Sequence, residues 1–157
     1  MNLINGATKG SEEDVIKIEN GLGTNFPEDY KSFIINTNGG TPKEDMLYDF
    51  YDEVSGLENT SIIRKFFSLY VDDTILKNNL KVIYNTMKNE GALPSDMIPI
   101  ADDPIGNIIG LSVNKDDYGF IYYLNHEFED VETGYLIKSK IANSFKSFID
   151  CLYTDES

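Results

Sequence analysis

The chain has 157 residues, 41% of them hydrophobic and 25% charged, with 27 acidic against 13 basic residues and a net charge of −14. That length and balance suit a single globular domain over residues 1–157, with a core over about 11–153, and exclude a disordered chain. The negative field repels nucleic acid and anionic membranes and draws basic partners, while a lone Cys151 rules out an internal disulfide or a thiolate zinc site.

In chain order, Ser11 is placed as an N-cap before Glu12, Glu13 and Asp14, and Val15, Ile18 and Leu22 recur at helical spacing. A short helix is expected over 12–20, ended by Gly21 and Gly23. Pro27 fits the first position of a second helix carrying Tyr30, Phe33 and Ile34 on one face, closed by Asn38-Gly39-Gly40. Residues 46–52 alternate as a strand, with Met46, Tyr48 and Phe50 on one face and Leu47, Asp49 and Tyr51 on the other. A Gly56-bearing loop leads to a second strand over 62–69. A long helix is expected from Thr74 to Asn89, with Lys77, Lys81 and Lys88 on a solvated face.

The stretch from Ile98 to Asn125 organises the rest. Its apolar runs 98–100, 108–113 and 120–124 are separated by turns containing Asp102-Asp103-Pro104, Gly106-Asn107 and Asn114 to Gly119. Three strands in succession give an antiparallel meander. An acidic segment over 127–132 follows. Residues 135–137 read as a short edge strand or as the lead into a last helix. That helix begins at Ser139, with Ile141, Ala142, Phe145, Phe148, Ile149 and Leu152 as its stripe and Cys151 as a small flanking core residue. The fold class is α+β, a central antiparallel sheet with helices packed around it.

Chemistry is sparse. The one histidine, His126, has no second histidine with which to build a zinc site and no motif for a Ser-His-Asp triad. Asn114, Asp116 and Gly119 match three positions of a calcium loop, but Tyr118 fails at position five and Asn125 replaces the bidentate Glu at position twelve. No phosphate loop is present. No catalytic residue, metal or cofactor is therefore assigned. The acids cluster instead: eight lie between Asp102 and Glu132, opposed only by Lys115, and six more between Glu44 and Glu58. If these loops gather at one end of the sheet their fields sum, and a basic protein is captured at high rate. The candidate partner-binding residues on this reading are Asp102, Asp103, Asn107, Asp116, Asp117, Tyr122, Asp49 and Tyr51.

Four segments, in order, resemble the signatures of the SUKH superfamily, which is also named for yeast cell-wall assembly regulators. Phe26-Pro27-Glu28-Asp29-Tyr30-Lys31-Ser32-Phe33 with Asn38-Gly39-Gly40 is similar to "LPxxYxxFL…NGG". Ile98-Pro99-Ile100-Ala101 with Asp102 and Gly106-Asn107 resembles "IPIAxDxxGNxI". Phe120 to Glu127 resembles "GxVYxxxHE", and Ala142 to Phe148 the closing "AxSFxxFL" helix. Phe26 stands where the family carries Leu, tryptophan is absent, and residues 60–94 match least. The resemblance implies an α+β binding scaffold rather than a catalyst. Bacterial members are largely immunity proteins that neutralise the C-terminal domain of a polymorphic or contact-dependent toxin, often a nuclease. The expectation is a cytoplasmic protein of that kind, with a regulatory scaffold lacking a toxin partner as the alternative.

Overall fold

Alternating apolar residues in the meander give it two buried faces, and the rest of the fold is arranged to cover them. The computed structural model describes residues 1–7, 11–69 and 79–156. Its main sheet has five antiparallel strands in the order β5-β6-β7-β8-β9: β5 (Lys65–Phe66), β6 (Met97–Asp102), β7 (Ile108–Ser112), β8 (Ile121–Glu129) and β9 (Leu136–Ala142). The meander β6-β7-β8 is its centre, as the sequence leads one to expect. Ile98, Ile100, Ile109, Leu111, Ile121 and Tyr123 point into the main core. Met97, Tyr122, Leu124 and Leu136 point to the other face and form a smaller cluster with Leu93.

The main core is closed by α1 (Glu12–Leu22), α2 (Glu28–Asn36), α4 (Phe145–Asp150) and the hairpin of β3 (Leu47–Asp52) with β4 (Leu57–Ile62). α1 begins at Ser11 with a capping box in which Ser11 and Asp14 bond reciprocally. It runs through Gly21 and stops at Gly23, where φ is +72°. α2 starts one residue later than expected, with Pro27 as its N-cap. Buried Glu19 of α1 accepts the Phe26 N–H at 2.7 Å and pairs with Lys31 at 3.4 Å, tying the two helices. Asp29 of α2 accepts the Lys146 N–H at 3.0 Å and so caps α4. The smaller cluster is covered by α3 (Leu80–Asn89) through Tyr84 and Met87. The expected start of that helix, with Lys77, lies outside the described residues. β1 (Leu3–Ile4) pairs with β2 (Thr41–Pro42) beside the Asn38-Gly39-Gly40 turn.

Five expectations are corrected. Residues 57–62, read as loop, form β4, whose side chains are mostly exposed and so give no burial alternation. Correspondingly, only Lys65–Phe66 of the expected 62–69 strand is a strand in the main sheet. Residues 139–142, read as helix, belong to β9, and α4 begins at Phe145 behind the N-cap Ser144. Lys138 and Lys140, two residues apart, carry the period of a strand; their ammonium groups lie over the Tyr122 and Phe120 rings at 4.8 and 4.1 Å. Cys151 is exposed rather than packed in the core. β8 also continues to Glu129, so the acidic segment is partly strand.

Candidate functional site: the acidic hairpin face

The meander decides where the candidate acids lie. Consecutive turns of an antiparallel meander sit at opposite ends of the strand they share, so Asp102, Asp103 and Asn107 occupy one end of β7 and Asp116 and Asp117 the other. The acidic loops do not gather at one end.

At the first end the candidates serve the turn. Asp103, 2% exposed, accepts the Ile105 N–H at 3.0 Å, the Asn107 N–H at 2.8 Å, the Asn107 side-chain amide at 2.8 Å and the Ser61 hydroxyl at 3.1 Å. Asn107, equally buried, uses its Oδ1 for the His126 N–H at 3.0 Å and the His126 ring Nδ1 at 2.6 Å. An amide oxygen only accepts, so Nδ1 carries the proton and Nε2 faces Glu127 at 3.7 Å. The "GN" and "HE" residues thus form a chain that locks the turn to β8. Asp102 takes a two-pronged bond from Arg64. Burial raises its carboxyl above the ordinary value, outweighing the Arg64 guanidinium.

At the other end Asp116 is exposed, with its N–H on Asn114 Oδ1 at 3.0 Å. Asp117 accepts hydroxyls from Ser112 and Tyr122, both at 2.5 Å. Partial burial works to raise its carboxyl, but those two hydroxyls and the Lys138 charge together hold it below the usual carboxylate range. The Tyr122 ring is nearly covered, with Lys138 above it, so little of it remains as an anchor.

Asp49 and Tyr51 stand apart from these turns, on the outer face of the hairpin. β3 points Tyr48, Phe50 and Asp52 inward and Leu47, Asp49 and Tyr51 outward. The register pairs Asp49 with Thr60 and Tyr51 with Glu58, which puts Glu58 and Thr60 on the same outer face. Tyr153 joins them: its backbone pairs with Leu47 in both directions, at 2.8 and 3.1 Å, and its hydroxyl donates to Asp49 Oδ1 at 2.6 Å. The Thr60 hydroxyl donates to the same oxygen at 2.7 Å. These bonds, Tyr153 first, hold the Asp49 carboxyl below its ordinary value. The result is a face of two carboxylates, Asp49 and Glu58, flanked by half-exposed Tyr51 and Tyr153. Asp49 and Tyr51 are candidates from the sequence, where Glu58 counts among the clustered acids without being chosen and Tyr153 does not enter. The available signal was the Gly56 turn, which places Leu57–Ile62 opposite Leu47–Asp52.

Among the described residues no group of three His, Cys, Asp or Glu side chains is placed to hold a metal ion, and no helix is long and apolar enough to cross a membrane. What the hairpin surface offers is an anionic, aromatic face whose Asp49 carboxylate is held by two hydroxyls.

The chain matches the model of the SMI1 / KNR4 family (SUKH-1) over residues 9–151, and no curated protein matches it. That match spans nearly the whole chain, including the Asp103–Asn107–His126 lock and the Asn38-Gly39-Gly40 turn; the chain belongs to the SMI1 / KNR4 family (SUKH-1).

Proposed function

We propose that this protein is a non-catalytic immunity protein that binds and neutralises the C-terminal domain of a cognate bacterial toxin in the cytoplasm, with a basic toxin such as a nuclease as the partner. The observation that carries this reading is the hairpin face, where Asp49 is fixed by two hydroxyls and flanked by Tyr51 and Tyr153. Carboxylates held in place lose little freedom on meeting Lys or Arg, and tyrosine supplies contact area with a polar tip. Family membership supports the same reading, since its bacterial members are commonly toxin-immunity proteins. Asp116 adds negative charge at the far end of β7, while Asp103 and Asn107 serve the turn.

The test is co-purification with the product of a neighbouring toxin gene, followed by an assay of that toxin with and without this protein. A stable complex and loss of toxin activity are expected. A toxin that stays fully active with this protein in excess refutes the proposal and leaves the regulatory scaffold as the surviving reading.

A further inference from the structure

Among the described residues β4 has a single neighbour, β3, and Leu57–Thr60 is exposed along its length. The parity of its ladder follows from one bond. The Ile63 N–H donates to the Met46 carbonyl at 3.0 Å, one step beyond the Leu47–Ile62 pair. Bonded and non-bonded pairs alternate in an antiparallel ladder. Leu57, Asn59 and Ser61 therefore turn their backbone groups toward β3, while Glu58, Thr60 and Ile62 turn theirs away. β3 obeys the same parity: the outward groups of Leu47 are taken by Tyr153. On β4 only the Thr60 N–H is met locally, by Asn59 Oδ1 at 2.8 Å.

Exposed edges are ordinarily blunted with lysine, proline or a bulge. β4 carries one edge charge, the acid Glu58, but no lysine, proline or bulge: its sequence is Leu-Glu-Asn-Thr-Ser-Ile, and its six pairs with β3 run without a register shift. Leu57, 67% exposed at the hairpin tip, adds apolar surface beside the edge.

We infer that the free edge of β4 is a docking strand that accepts an extended segment of a protein partner with Lys or Arg at alternate positions. An added strand would bond to the Glu58 and Ile62 N–H groups and to the outward carbonyls. Its side chains on the outer face would lie beside Glu58 and, across Thr60, Asp49, so a basic residue there meets acid. The alternating side chains would lie near Leu57 and take small or apolar types. A second copy of this chain is disfavoured as occupant, because it would set Glu58-bearing edges together between two molecules of charge −14. The inference rests on reading the chain as a protein-binding scaffold, and its test uses no toxin, so the two succeed or fail separately.

The test uses the full isotope-labelled chain and a short synthetic peptide alternating Lys and Val, compared with the same peptide N-methylated at its central amides. The expected result is that amide exchange at Glu58 and Ile62 slows on adding the first peptide. The N-methylated peptide, which keeps its charge but loses its backbone donors, should bind about tenfold more weakly or worse. Equal binding of the two peptides overturns the inference, because attraction would then be charge alone. Protection of the 113–120 turn instead of β4 overturns it as well. A Thr60→Pro chain, whose ring would project from the open edge between the Glu58 and Ile62 N–H groups and block an added strand there, should keep its fold by circular dichroism and lose the peptide; a folded variant that still binds also overturns it. If Thr60→Pro does not fold, the pair of peptides on the unaltered chain decides.

Discussion

Tyr153 donates its phenolic hydrogen to Asp49 across 104 positions of the chain, so the last segment of the protein fixes an acid on its first long hairpin. Replacing Tyr153 by Phe should raise the Asp49 carboxyl pKa toward its ordinary value, since this bond is the first cause of the depression. The Leu47–Tyr153 backbone pairing should survive. Carboxyl NMR titration of Asp49 in both proteins measures the change; identical titration curves would show that Thr60 alone holds the acid.

Asn107→Ala should destabilise the protein by about 2–4 kcal/mol in urea unfolding, because it strips partners from Asp103 and from His126 inside the fold. By contrast, Asp116→Ala removes an exposed carboxylate and should change stability by less than about 0.5 kcal/mol. Equal effects would mean that the turn is not held as described.

The Asp117 carboxyl is depressed in the folded state, so it contributes stability that is present above the ordinary aspartate value of about 3.9 and is lost as pH falls through the folded value. Asp102 has the opposite sign: its raised carboxyl binds protons more tightly when folded, so its contribution declines as pH rises from the ordinary value through the folded one. Urea midpoints between about pH 2 and 5 should therefore rise less steeply with pH in Asp117→Asn than in the unaltered protein, and more steeply in Asp102→Asn. The reverse order would contradict both assignments.

Gly39 and Gly23 both have positive φ, yet alanine should act differently at the two. At Gly39, with φ +76°, an added Cβ would meet the Ser68 hydroxyl and lie 2.8 Å from the Phe66 carbonyl. At Gly23, with φ +72°, nothing lies within 4 Å. Gly23→Ala should cost about 1 kcal/mol from backbone strain alone, and Gly39→Ala at least twice that, read from thermal or urea unfolding. Similar losses at the two sites would argue against close packing of the Asn38-Gly39-Gly40 turn on β5.

The hairpin face predicts an asymmetric response to charge. Once a basic partner is in hand, Glu58→Lys should slow association several-fold at low salt, with the effect shrinking as salt rises, whereas Asp103→Asn should act through stability instead. Stopped-flow association across a salt series separates the two. An unchanged on-rate for Glu58→Lys would remove the hairpin face from the encounter.

The meander was legible in the sequence because its apolar runs are buried on both faces and its turns use Asp, Asn and Gly. The Ser11 cap was legible for the same local reason: one side chain meets one backbone group. β4 was not, since a strand whose residues are mostly exposed carries no alternation, and its pairing with β3 is visible only as register. β9 was misread because Ile141, Ala142 and Phe145 also satisfy a helical spacing; the pairing of Ile121 with Ala142 and of Tyr122 with Lys140 prevails over that local pattern. Family motifs marked residues that build the fold. Asn38, Asn107 and His126 tie turns to strands, whereas Glu58 and Tyr153 of the hairpin face lie outside the matched motifs.

β7 is five residues long, so the turns at its two ends are about 17 Å apart. That exceeds the distance of about 8 Å over which physiological salt lets charges feel one another. The acids at one end are therefore largely screened from the other, and a charge reversal at Asp116 should disturb a partner seated on the hairpin far less than one at Glu58. The total of −14 belongs to no single surface: an incoming molecule meets one pole or the other, and its orientation on arrival selects which.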